Sequence, residues 1–93
     1  MTARDSISPR ALSRSDLERR VADVVAEIGG CDPPAPDFQL AELGFDSLAL
    51  LDLLAALEET FNIELTEDVV TDFRTIAGIS RVVRDAEPAE SRG

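Results

Sequence analysis

Between Ser47 and Phe61 the apolar residues Leu50, Leu53, Leu54, Leu57 and Phe61 recur at offsets 3, 4, 7 and 11, the repeat of one face of an α-helix and not the alternation of a strand. A second stripe of this kind lies upstream. Leu17, Val21, Val24, Val25 and Ile28 share one face, and Gly29-Gly30 then supplies the left-handed conformation that ends helices. Between the stripes, Pro33, Pro34 and Pro36 exclude regular helix from residues 31–43, while Phe38, Leu40 and Leu43 pin that stretch to the core. A connection this long can run the length of a helix, so that the second helix packs beside the first.

The remaining elements follow from capping residues. Ser15-Asp16-Leu17-Glu18 has the form of a capping box and sets the start of the first helix at Ser15. Asp46 suits the N-cap of the second. Asn62-Ile63-Glu64-Leu65 is too short for a sheet and reads as a connector whose Ile63 and Leu65 tuck under the bundle. Thr66 can cap a short helix with Glu67 and Asp68 in its first turn. Thr75 can cap a last one, with Ile76, Ile79, Val82 and Val83 inward and Arg81 and Arg84 near its end. The reading is an all-α four-helix bundle, three longer helices and one short, with a long loop between the first two. It spans residues 15–84, with a disordered tail over 1–14 and a frayed tail over 85–93. A chain of 93 residues supports one modest core and no deep catalytic cleft.

Charge narrows the function. Acidic residues number 19 against 9 basic ones, all arginine, for a net charge of -10. Such a chain repels nucleic acid and anionic membranes and attracts basic protein surfaces. Between Glu42 and Asp72 every charged residue is acidic, so most of the charge lies in one third of the chain. Histidine is absent, which removes the commonest general base and metal ligand. Cys31 is the single cysteine and reads as a free surface thiol. No apolar run is long enough for a signal peptide or a membrane span, and a cytoplasmic monomer is expected.

Ser47 stands out within the acidic third. Gly44 lets the backbone turn, Asp46 caps, and Ser47 falls on the first helical turn, where a hydroxyl is exposed and an attached anion lies in the favourable helix field. Leu48, Leu51 and Ala55 lie off the buried stripe, on the side that carries Ser47, and are rimmed by Asp52, Glu58 and Glu59. They form either a docking strip for another protein or extra core. A serine hydrolase would need a Gly-x-Ser-x-Gly elbow and a histidine, and neither occurs. The carboxylates lack the spacing of a calcium loop. What remains is an attachment point on a carrier, or an unmodified acidic adaptor that binds a basic protein.

Leu43-Gly44-Phe45-Asp46-Ser47-Leu48 resembles the phosphopantetheine attachment signature of acyl carrier proteins. The similarity extends from Ser15 to Arg84 and includes the helix order, the long first loop and the Phe61-Asn62-Ile63-Glu64-Leu65 connector. It implies 4'-phosphopantetheine esterified to Ser47 beside Asp46, with acyl groups carried as thioesters on the arm. It also implies a protein that is no enzyme but the substrate of a phosphopantetheinyl transferase. Phe45, Ala49 and Leu50 narrow the likeness to free-standing carriers of bacterial aromatic polyketide synthases, with a carrier for fatty-acid or other acyl-transfer pathways as the alternative. The resemblance thus implies ketosynthase, acyltransferase and tailoring partners with basic docking patches, met by Leu48, Leu51, Asp52, Ala55, Glu58 and Glu59. The loop before Ser47 is shorter than in fatty-acid carriers, and an Arg/Ser-rich tail precedes the first helix.

Overall fold

The computed structural model describes residues 9–88. Three α-helices carry it: α1 (Arg14–Gly29), α2 (Ser47–Phe61) and α3 (Ile76–Asp85). A 3₁₀ helix over Glu67–Asp72 is the short fourth helix, and further 3₁₀ turns occupy Pro9–Ala11 and Leu40–Leu43. Helix α1 packs against both α2 and α3. The two stripes read from the sequence meet there: Leu17, Val21 and Val25 face Leu53, Leu57, Ile76, Ile79 and Val83, all with no more than 1% of their surface exposed. Burying a Leu, Ile or Val side chain is worth about 1.5–3 kcal/mol each, so this layer is the main source of stability. Ile28, Leu50 and Val82, also on the stripes, are only half-buried at the margin.

The long loop is held at its far end. Leu40 is buried and its amide donates to the Arg74 carbonyl (2.8 Å), Gln39 bridges to Thr75, and the Ala77 amide donates to the Pro36 carbonyl (2.9 Å). That last bond satisfies one of the amides that the first turn of α3 leaves without an intrahelical acceptor.

Four details depart from the sequence reading. Ser13, not Ser15, caps α1: its hydroxyl accepts from the Asp16 amide (3.1 Å), and the helix begins at Arg14. Ser13-Arg14-Ser15-Asp16 offers the same serine-to-acid spacing two residues earlier. Thr66 stands at the N-cap of the Glu67–Asp72 helix but makes no capping bond with its side chain. Ile63–Glu64 is not merely a connector; as β1 it pairs antiparallel with β2 (Glu87–Pro88), Ile63 opposite Pro88 and Glu64 opposite Glu87. Finally, both expected tails contribute to the fold. Pro9 is buried, Arg10 Nε donates to the Arg84 carbonyl (3.1 Å), and Arg84 Nη2 donates to the Leu12 carbonyl (3.1 Å). The tail boundaries at 14 and 85 therefore fall within structured chain, while the rest of those tails, residues 1–8 and 89–93, lies outside the described residues.

Candidate functional site

The approach to Ser47 is built in three steps. Leu40–Leu43 winds one 3₁₀ turn, and Gly44 then takes a left-handed conformation (φ 78°) with its amide on the Ala41 carbonyl (3.1 Å). This reverses the chain. Phe45, half-buried, lays its ring against the end of α1, so close to Gly29 that a β-carbon there would stand 3.1 Å from Cε1. Asp46 is extended, and its Oδ1 accepts from the Ala49 amide (2.9 Å) while its carbonyl accepts the first intrahelical bond from Leu50 (3.0 Å). The N-cap expected of Asp46 is present.

Ser47 is the first residue of α2 and is exposed. Its hydroxyl makes no hydrogen bond to the described residues. The cap occupies the Ala49 amide, and the amides of Ser47 and Leu48 have no acceptor within the helix, as at any helix start. Partial positive charge therefore accumulates next to the free hydroxyl.

The two readings of the off-stripe leucines now separate. Leu48 is 71% exposed and Leu51 39%, the large hydrophobic side chains most open to solvent among the described residues, whereas Leu53, Leu54, Leu57 and Phe61 are buried. Leu48 and Leu51 are thus not extra core. Ala55, Asp52 and Glu59 are exposed alongside them. Glu58 differs: it is half-buried, and its Oε2 accepts from the Leu65 amide (2.9 Å), so one of its oxygens holds the connector beneath α2. The structure therefore brings Asp46, Ser47, Leu48, Leu51, Asp52, Ala55 and Glu59 onto one solvent-facing side and gives Glu58 a structural bond as well. Gly29 was missed by sequence reasoning, because two adjacent glycines after a helix already have a sufficient explanation as its terminator. Among the described residues no group of acidic or cysteine side chains is arranged to hold a metal ion, and no helix is long and apolar enough to cross a membrane.

Comparison with known proteins bears on this site. A family model described as a phosphopantetheine attachment site matches residues 19–83. The mitochondrial acyl carrier protein of Saccharomyces cerevisiae is 32% identical over 72 residues, which are 70% of this chain and 58% of that protein. The non-reducing polyketide synthase pigA of Monascus ruber is 28% identical over 79 residues, 83% of this chain but 3% of that synthase. The chain thus spans little more than half of the first relative and a small fraction of the second. Among solved structures, BlmI, a type-II acyl carrier protein from Streptomyces verticillus involved in bleomycin biosynthesis, superposes with a TM-score of 0.66 at 34% identity, over 73% of this chain and 82% of that one. A family match that begins in α1 and ends in α3 encloses the capped serine and the whole helical core, and with BlmI's likeness in sequence and fold it follows that this chain belongs to the acyl carrier proteins of the phosphopantetheine-attachment family.

Proposed function

We propose that Ser47 is the residue esterified by 4'-phosphopantetheine and that the chain carries acyl or polyketide intermediates between enzymes. The observation that carries this reading is the exposed, unbonded Ser47 hydroxyl at the capped start of α2. The residues present fit the group. A phosphodiester on Ser47 Oγ would adjoin the helix start, where the Ser47 and Leu48 amides and the dipole favour an anion by about 0.3–1 kcal/mol. The Asp46 carboxylate, its oxygen on the Ala49 amide, caps the helix without using those amides. When bound, the arm supplies a terminal thiol that holds the cargo as a thioester. The chain's own residues position that arm and recruit the enzymes that act on it.

Recruitment falls to the strip beside Ser47. Asp52, Glu58 and Glu59 steer basic surfaces of the phosphopantetheinyl transferase and of ketosynthase, acyltransferase and tailoring enzymes, a rate effect that weakens with salt. Leu48 and Leu51 provide a short apolar contact. So small a patch gives weak, brief complexes, as suits a carrier that must leave each enzyme. A polyketide setting is supported by the synthase relative and by Phe45, Ala49 and Leu50, and a type-II arrangement by BlmI. We place the carrier in the cytoplasm as a monomer.

The test is intact mass after incubation with a broad-specificity phosphopantetheinyl transferase and coenzyme A. One phosphopantetheine adduct on the wild type and none on Ser47→Ala is the expected result. An unmodified wild type, under conditions that modify another carrier, would turn the reading to an acidic adaptor that uses the same strip on a basic protein.

A further inference from the structure

The charge on this chain is segregated, and its cationic part has a shape. Arg14 in the first turn of α1 and Arg81 and Arg84 on α3 line one cleft of about 190 Å³, floored by Leu17 and Ser80. Among the described residues Glu18 is the one acidic member of the lining, and α2, with its acidic face, contributes nothing to it. None of the three guanidinium groups is ion-paired with a carboxylate among the described residues, although acids outnumber arginines 19 to 9 in the chain. Arg84 is fixed in place: one nitrogen donates to the Leu12 carbonyl (3.1 Å), while its own carbonyl accepts from Arg10. Its other donors meet no acceptor among the described residues.

Three like charges around so small a space lie within about one Debye length, ~8–10 Å at physiological salt, and repel one another. An anion in the cleft reverses the sign of that energy. With Glu18 in the lining the cleft carries a net charge of two, so a single carboxylate would leave one charge unbalanced, whereas a phosphate-class group carries two or more charges and several oxygens for the planar donor forks of arginine. We propose that the cleft between α1 and α3 binds a phosphate-class oxyanion. It is not the seat of the arm. Arg14 lies a full helix away from Gly29 and the Phe45 ring that leads into Ser47, ~24 Å for sixteen residues. Ligand there and cargo on Ser47 can be present together.

The test uses the full chain in its unmodified form, so that it stands or falls separately from the role given to Ser47. Backbone amide shifts are followed during titration with pyrophosphate, with acetate as the single-carboxylate comparison. Saturable shifts confined to residues around Arg14 and Arg81–Arg84 are expected, with acetate unable to produce them. Arg14→Gln and Arg81→Gln, both exposed and with no side-chain hydrogen bond among the described residues, should each weaken binding by about tenfold, the loss of one charge-assisted contact. Arg19→Gln, on α1 outside the cleft, should leave it unchanged. Absent or diffuse shifts, equal weakening by Arg19→Gln, or saturation by acetate would overturn the proposal.

Discussion

Gly29 and Phe45 are in contact across the end of α1: a β-carbon on Gly29 would meet Phe45 Cε1 at 3.1 Å and Cζ at 3.4 Å, with Cys31 Sγ also at 3.4 Å. The absent side chain is the seat for the ring that precedes Asp46 and Ser47. Two effects oppose each other on Gly29→Ala. Alanine gains up to about 1 kcal/mol of helix propensity, and the ring must give way by a few tenths of an ångström. Phe45 is half-buried, with a solvent side to move towards, so the alanine variant should unfold in urea within about 0.5 kcal/mol of wild type. Gly29→Val adds two further carbons that the ring cannot clear and should lose about 1–3 kcal/mol. A valine variant as stable as wild type would show that the ring does not sit there.

The cap at α2 has a defined chemistry. Asp46→Ala removes the acceptor for the Ala49 amide and should cost about 1 kcal/mol, while Asp46→Asn keeps an oxygen in place and should cost only a few tenths. Thermal denaturation of both variants provides the check. Equal losses would mean that the carboxylate charge, rather than the hydrogen bond, supplies the stabilisation.

What could be read from the sequence follows the range of each interaction. The stripes, Asp46 and Thr75 were legible because helical periodicity and capping act over three or four residues; Thr75 Oγ1 does accept from the Gly78 amide (3.0 Å). Ser13 against Ser15 was ambiguous even locally, since both serines stand three residues before an acid. The status of Leu48 and Leu51 was not legible, because periodicity assigns a residue to a face without saying what covers that face. Nor was the closure of the chain ends, where Arg10 donates to the Arg84 carbonyl across 74 residues and Arg84 to the Leu12 carbonyl across 72. No local pattern announces a guanidinium on a distant carbonyl. Pro9 and the Arg/Ser composition around it point to an open tail, and only the packed α3 supplies the partner that overrides that reading.

Glu58 separates structure from recognition on the acidic strip. Its Oε2 accepts from the part-buried Leu65 amide (2.9 Å), so Glu58→Ala leaves that amide without its partner and should destabilise the fold by about 1–2 kcal/mol. Glu58→Gln retains an acceptor and should recover most of that loss. Asp52→Asn and Glu59→Gln, both exposed, should leave stability unchanged within about 0.5 kcal/mol. They should instead lower the association rate with a basic phosphopantetheinyl transferase and flatten its dependence on salt. Chemical denaturation and stopped-flow binding read the two effects apart. Should Glu58→Ala prove as stable as wild type, the bond to Leu65 would be incidental.

Leu48 and Leu53 are five residues apart on one helix and are put to opposite uses. Leu53 is fully buried, and Leu53→Ala should cost about 2–5 kcal/mol through lost burial and the cavity left behind. Leu48 is 71% exposed and touches little, so Leu48→Ser should change stability by less than about 0.5 kcal/mol. Its effect should appear in function. If the strip beside Ser47 is where enzymes dock, Leu48→Ser raises KM for the carrier in phosphopantetheine transfer and leaves kcat nearly unchanged, since the serine and its cap are intact. A lowered kcat with unchanged KM would place Leu48 at the reacting hydroxyl rather than on a docking surface. An unchanged KM and kcat would remove it from the interface altogether.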